Sequence, residues 1–368
     1  MQRDLAKKIW IYTVAVISFG LVALYSATFN NVRVPQSIFY DQLIFAFVGL
    51  IIMYLIGKID YRNFYDAAYV FYILNVFLLV WVLFSGRDAL GARRWMDMGP
   101  ISFQPSEFTK LSLILVLGRY FSDRRPKLSF GFLSGAQMFC RDILFPFILT
   151  TILMFLIFKQ PDLGTSLLLL GIFFTMVFVS SADYKFILGF LGFCMMCVPI
   201  GWNFLKAYQK DRLLVFLNPN IDPLGAGYTI IQSKIAIGSG QIFGKGWLAG
   251  TQNQLNFLPE RHTDFIFSVI GEEWGLVGAL FLVTLYFLLI NTSITVASQV
   301  KDKFGTFVTI GVVSILLLQV IINIGMVMGL FPIVGLTLPF ISYGRSSFLV
   351  FIIMMGFLLN LSKKRTIF

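Results

Sequence analysis

The run Tyr65–Phe84, YDAAYVFYILNVFLLVWVLF, decides the fold. It is twenty residues long, with Asp66 its one charged residue and Asn75 its one amide. At 1.5 Å of rise per residue a helix of this length covers ~30 Å, the thickness of a bilayer's hydrocarbon core. Strands of an outer-membrane barrel are about half as long and alternate in polarity, so the unbroken run excludes them. Working outward, nine similar runs occupy 9–27, 38–57, 104–121, 143–159, 163–181, 186–205, 264–290, 304–330 and 347–362. The expectation is an all-α polytopic membrane protein of about ten transmembrane helices, with residues 1–368 forming a single transmembrane domain.

Composition points the same way. The 368 residues are 58% hydrophobic and 13% charged, with a mean hydropathy of +0.82. Soluble domains hold about 45–50% apolar and about 25% charged residues. A soluble enzyme, a disordered chain and a collagen-like chain are excluded. The net charge of +11 is no nucleic-acid footprint, because the basic residues lie between the apolar runs rather than on one face. Cys140, Cys194 and Cys197 have neither a disulfide framework's even count nor a metal site's spacing, and His262 is the single histidine, which argues against zinc.

Lysine and arginine set the orientation. One side collects sixteen: Arg3, Lys7, Lys8, Lys58, Arg62, Arg119, Arg124, Arg125, Lys127, Arg141, Lys185, Lys301, Lys303, Lys363, Lys364 and Arg365. The short loops of the other side carry five: Arg33, Arg87, Arg93, Arg94 and Arg345. The bias places both termini in the cytoplasm, with the first run as a signal anchor. It also makes 206–263 one large extracytoplasmic loop, punctuated by Asn218-Pro219, Asp222-Pro223 and glycines from Gly225 to Gly250, with a short amphipathic helix at Ile230–Ile237. Loops of this length in compact proteins are usually functional.

Polar residues matter most where they are expensive. Gln104-Pro105-Ser106-Glu107 opens the fourth helix. Proline at the first position and an acid in the first turn suit any helix start, which accounts for Glu107 without function. Lys110 is deeper, on the same face, and a Glu–Lys pair inside the apolar boundary marks a polar cavity. Leu258–Phe267 (LPERHTDFIF) sets Glu260, Arg261, His262, Thr263 and Asp264 at the lip of a long apolar helix. Asp264 could cap that helix, as Thr263 could. Beside Arg261 and His262 it is equally placed to accept a proton from a substrate hydroxyl. Glu272 and Glu273, further along, need partners, a lysine or a polar headgroup. Gly238–Gly246 (GSGQIFGKG) fails as a nucleotide phosphate loop in spacing and context. Beside Lys234 and Lys245 it could hold a diphosphate through backbone N–H groups, or simply fold a tight turn. Leu338–Ser347 (LPFISYGRSS) breaks the helix pattern, which membranes tolerate where backbone lines a cavity.

Taken in order, GARRW (Gly91–Trp95), QPSE (Gln104–Glu107), KQPDLGTS (Lys159–Ser166), Leu217–Gly240, LPERHTDFIFSVIGEEWG (Leu258–Gly275) and LPFISYG (Leu338–Gly344) resemble the SEDS family of bacterial shape, elongation, division and sporulation proteins. The resemblance runs nearly end to end and is strongest to the rod-shape branch. It implies a ten-helix membrane enzyme, a peptidoglycan glycosyltransferase of the bacterial cytoplasmic membrane. The implied substrate is lipid II, a disaccharide-pentapeptide on undecaprenyl diphosphate. The implied partners are a class B penicillin-binding protein (a transpeptidase) and other elongation-complex membrane proteins, with no nucleic acid. By position, Asp264 matches the family's essential aspartate, and Glu107 and Lys110 its cavity pair. The candidate substrate-binding set is completed by Arg94, Gln104, Lys234, Arg261, His262 and Ser342. No tightly bound cofactor or metal site is expected, any divalent cation arriving with the diphosphate. Arg345 and Gln241 stand where the family usually has glycine. The rival readings are a lipid II flippase and a non-catalytic scaffold of the cell-wall machinery.

Overall fold

The computed structural model describes residues 2–29, 35–89, 92–98, 101–123, 139–180, 184–223 and 225–363. Arg33, Gly91, Arg124, Arg125, Lys127, Lys364 and Arg365, used above, lie outside them. The helices are α1 (Gln2–Thr28), α2 (Ser37–Ile56), α3 (Tyr61–Ser85), α4 (Pro105–Ser122), α5 (Phe145–Lys159, entered through a π turn at Cys140–Leu144), α6 (Leu163–Val179) and α7 (Tyr184–Trp202). They continue as α8 (Ala207–Leu217), α9 (Ala226–Gly240), the short α10 (Thr251–Gln254), α11 (Ile266–Gln299), α12 (Lys303–Val327) and α13 (Arg345–Lys363). Each of the ten apolar runs coincides with one of these helices.

Seven helices among the described residues are long and apolar enough to cross a membrane, or up to eight if α7 and α8 count as one span. The expected count of ten is therefore not reached on length and apolarity alone. The reason is visible in α4 and α6. At 17 residues α6 is short. Thirteen of the eighteen residues of α4 are buried, among them Ser106, Glu107, Thr109, Lys110 and Ser112, so its polarity is turned inward. By contrast α2 and α3 leave Phe47, Val70 and Phe84 more than 60% exposed, as a bilayer requires.

Two further departures concern connections. Residues between α3 and α4 form a three-stranded antiparallel meander, β1 (Arg87–Ala89), β2 (Ala92–Met98) and β3 (Ile101–Phe103). Trp95 pairs with Arg87, and Met96 with Phe103. The segment 206–263 is largely helical rather than an open loop, and its amphipathic helix is α9, longer than Ile230–Ile237 at both ends.

By packing, the chain divides into two compact units. The first comprises Met1–Gly57, Lys206–Ser293 and Leu316–Leu359. Within it α13 lies against α2, where a Cβ on Gly49 would stand 3.0 Å from the Phe348 ring. The irregular segment between α12 and α13 is buried at Leu336, Leu338, Phe340 and Ile341. Its backbone finds partners: Tyr286 donates to Pro339 O at 2.5 Å. The second unit comprises Lys58–Leu205, Ile294–Ile315 and Asn360–Phe368. There α3 and α4 pair through Thr109 Oγ1 donating to Asn75 Oδ1 at 2.7 Å, and α12 packs on α4 with Gly311 against Ile114.

Candidate active site

Four consecutive residues before α11 are held from outside their own segment. Arg261 is anchored by its side chain, to Ala27 O at 3.0 Å, to Asn253 O and to Asn256 Oδ1 at 2.7 Å. His262 O accepts from Tyr343 N at 2.9 Å. Thr263 O accepts from Ser342 Oγ at 2.6 Å. Asp264 O accepts from Asn323 Nδ2 at 2.9 Å. The result is a fixed backbone carrying a half-buried carboxylate. A Cβ on Gly335 would stand 3.6 Å from Asp264 Oδ2, and Gly335 adopts φ +71. Glycine there satisfies the left-handed backbone beside the carboxylate.

These contacts separate the expected site residues by role. Ser342 Oγ donates to Thr263 O and accepts from Leu338 N at 2.8 Å, so it is spent joining two stretches of backbone. Arg261 is 3% exposed, and burial pulls its guanidinium from 12.5 down to about 10. It faces the interior rather than solvent. His262 is half-buried, with its ring 6.2 Å from Tyr343 and its Nδ1 buried without a protein partner among the described residues. Burial holds the imidazole below its ordinary 6.5, against the opposing charge of Glu260 and together with that of Arg261. Lys234 is exposed on α9, its ammonium against Gly329, where a Cβ would come within 2.6 Å of Nζ. The next residue back, Ser233, ties α9 to Ser268 Oγ at 2.9 Å and to Val327 O at 2.6 Å, which places Lys234 beside the helix that follows Asp264.

The glycine string serves close packing. Helix α11 breaks at Gly275, φ +62, and the turn 241–246 inserts its backbone there. Leu276 N donates to Gln241 O at 2.9 Å and Val277 N to Ile242 O at 3.1 Å. Lys245 N and Gly246 N donate to Glu272 O and Glu273 O, both at 3.0 Å. Within bilayer depth a broken helix must have its peptide groups satisfied by protein, and this exchange does so. Gly240 and Gly244 permit it: a Cβ would lie 1.9 Å from Gly271 O and 2.2 Å from Glu273 O respectively. Lys245 is committed to Glu272 at 2.8 Å, so the diphosphate-loop alternative loses its second lysine. Arg345 pairs with Asp41 at 2.5 Å.

In the second unit Lys110 Nζ meets Glu107 Oε2 at 2.8 Å, with the lysine fully buried. Gln104 Nε2 donates to Ser106 Oγ at 2.9 Å at the start of the same helix. Arg94, from β2, donates through Nε to Gln160 O at 3.0 Å and through Nη2 to Pro161 O, fastening the meander to the start of α6. Asp162 caps α6, accepting from Thr165 N at 3.2 Å.

Asn323 and Asn253 were not among the expected site residues. An asparagine in the apolar run IINIG was a readable signal for Asn323, since an unpaired amide there is costly. Asn253 had none, sitting in a polar stretch.

The family profile described as Cell cycle protein, FtsW/RodA/SpoVE, matches residues 6–367. Peptidoglycan glycosyltransferase MrdB of Escherichia coli K12 is 42% identical over 329 residues, 86% of this chain and 84% of that protein. Among solved structures, a chain of a peptidoglycan synthase complex that coordinates polymerization and crosslinking superimposes with a TM-score of 0.80 at 32% identity, covering 97% of each chain. The rod shape determining protein RodA of Thermus thermophilus gives 0.71 at 29% identity, over 97% of this chain and 96% of that one.

Proposed function

The chain belongs to the FtsW/RodA/SpoVE family of cell cycle proteins, and from that premise we propose that it is a peptidoglycan glycosyltransferase whose general base is Asp264. It polymerises lipid II into glycan on the outer face of the cytoplasmic membrane during elongation, alongside a class B penicillin-binding protein that crosslinks the product. The observation that carries the assignment of the base is the pinned backbone of 261–264 presenting one half-exposed carboxylate beside Gly335.

The chemistry asks for little covalent work from the protein. Asp264 takes the proton of the acceptor sugar's hydroxyl as its oxygen attacks the donor's anomeric carbon. The bond from that carbon to the diphosphate breaks, and undecaprenyl diphosphate leaves with the electron pair. Positive charge near the departing diphosphate lowers the barrier. Lys234 supplies a candidate cation, and the diphosphate brings its own divalent counter-ion in this reading. An outward site has no access to ATP, and a lipid-linked diphosphate sugar carries its activation with it.

The test is polymerisation of labelled lipid II by the purified protein with its synthase partner. Asp264→Asn keeps the size but cannot take a proton at neutral pH. It should reach the membrane normally and lose at least ~10²-fold in rate, a typical general-base contribution. Near-normal polymer from that variant sinks the assignment. Transfer of lipid across vesicles without polymer from the unaltered protein selects the flippase instead.

A further inference from the structure

The segment that carries Asp264 is anchored in a buried polar socket that proton transfer does not use. Three stretches distant in sequence build it: the end of α1, α10 with its following turn, and α11 before its break. Asn253 is the hub. Its Nδ2 donates to Ser26 O at 3.1 Å and to Glu273 Oε1 at 3.2 Å, and its backbone N donates to Glu272 Oε2 at 3.3 Å. Ser26 Oγ also donates to Glu273 Oε1. Glu272 and Glu273, at 0% and 1% exposure, divide two cations between them: Glu272 pairs directly with Lys245, and Glu273 is linked through Asn253 to Arg261.

We propose, resting on Asp264 as the base, that Arg261 is a positioning residue: with Asn253, Asn256 and Glu273 it forms a buried clamp that sets where the Asp264 carboxylate stands, and it does not touch substrate. A planar guanidinium with its donors directed to three fixed acceptors locks both the position and the direction of its own backbone. Asp264 is three residues further on, with Asn323 and Ser342 holding the other side of the segment. The clamp sustains unusual backbone on this stretch, since Asn256 has φ +60 and Glu260 φ +47. Asparagine visits the left-handed region readily, whereas a glutamate persists there only where its surroundings over-determine it. The side chain of Asn256 reaches the guanidinium from that conformation.

Asn256 offers the clean test, because glycine tolerates φ +60 and the change removes one arm of the clamp without emptying the core. Lipid II polymerisation is measured on the full chain with its synthase partner, per molecule competent to bind lipid II. Asn256→Gly should lower kcat about tenfold with KM within about twofold, the scale expected when a reacting group is displaced by a fraction of an ångström. Asn256→Asp, which restores an acceptor of the same shape, should recover it. Arg261→Lys, which keeps the charge and loses the fork, should show the same split as Asn256→Gly. A purely structural role would reduce the number of competent molecules and leave kcat per molecule unchanged, and that result overturns the proposal, as does failure of the aspartate to rescue. Asp264→Asn run in parallel keeps the two readings apart. If it polymerises normally, the base assignment fails; if it is inactive while Asn256→Gly is normal, only the clamp fails.

Discussion

Lys110 is among the largest side chains that the protein buries completely, and its ammonium meets Glu107 one turn back. Bringing both charges out of water is costly, and the pair repays it only while both are present. Removing one should cost ~3–5 kcal/mol, whereas neutralising both should cost much less. Glu107→Gln and Lys110→Met should therefore each lower the thermal midpoint in detergent, and the double variant should recover more of it than either single change. If all three melt like the unaltered protein, the pair contributes nothing to folding. At this scale the sequence was informative about type and poor about partners. The spacing of Glu107 and Lys110 on one helix face was enough to pair them, because both lie on one element. Arg261 was legible as a charge beside Asp264, yet its acceptor at Ala27 is 234 residues away.

Among the elements, α11 shows how a sequence feature acquires its meaning from a neighbour. Gly275 has φ +62, and the turn 241–246 fills the gap it opens. The two glycines that end α9, just before that turn, differ in what surrounds them. A Cβ on Gly240 would overlap Gly271 O, while one on Gly238 meets nothing within 4 Å. Gly240→Ala should destabilise by about 1–3 kcal/mol through overpacking. Gly238→Ala, in the last turn of α9, should be neutral or stabilising by up to ~1 kcal/mol from helix propensity. Thermal unfolding of the two variants side by side checks this, and equal behaviour would contradict the inserted-turn geometry. The string reads alike at both positions in sequence, and only the approach of α11 tells them apart.

For the whole molecule, membrane sidedness follows from charge rather than from packing. Lys301, one of the sixteen, lies at the α11–α12 connection, and Asn220 lies in the segment 206–263, which the charge bias predicts on the opposite side. Both are exposed. In a chain lacking Cys140, Cys194 and Cys197, a cysteine at Asn220 should react with an impermeant thiol reagent in intact spheroplasts. A cysteine at Lys301 should react only after the membrane is opened. The reverse pattern would place Asp264 on the cytoplasmic side and remove the case for a polymerase that acts outside.

What the sequence determined by itself is the class of molecule and the places of the ten helices that its long apolar runs mark. A bilayer imposes a length and an apolarity on each span, and runs such as Tyr65–Phe84 satisfy both locally. It also exposed the cost of Glu107, Lys110, Glu272 and Glu273, since a charge in an apolar helix is expensive wherever its partner lies. Tertiary structure alone decided which polar groups were spent and which were left available. Ser342 and Thr263 are 79 residues apart, and Lys245 and Glu272 are 27 apart on separate elements. A hydrogen bond is a contact of about 3 Å between atoms, and nothing in the spacing of residues along a chain specifies such contacts once the chain has turned back on itself. That is why Asp264 could be proposed from its motif, while the hydrogen bonds that anchor the neighbouring Arg261 could be seen only in the folded protein.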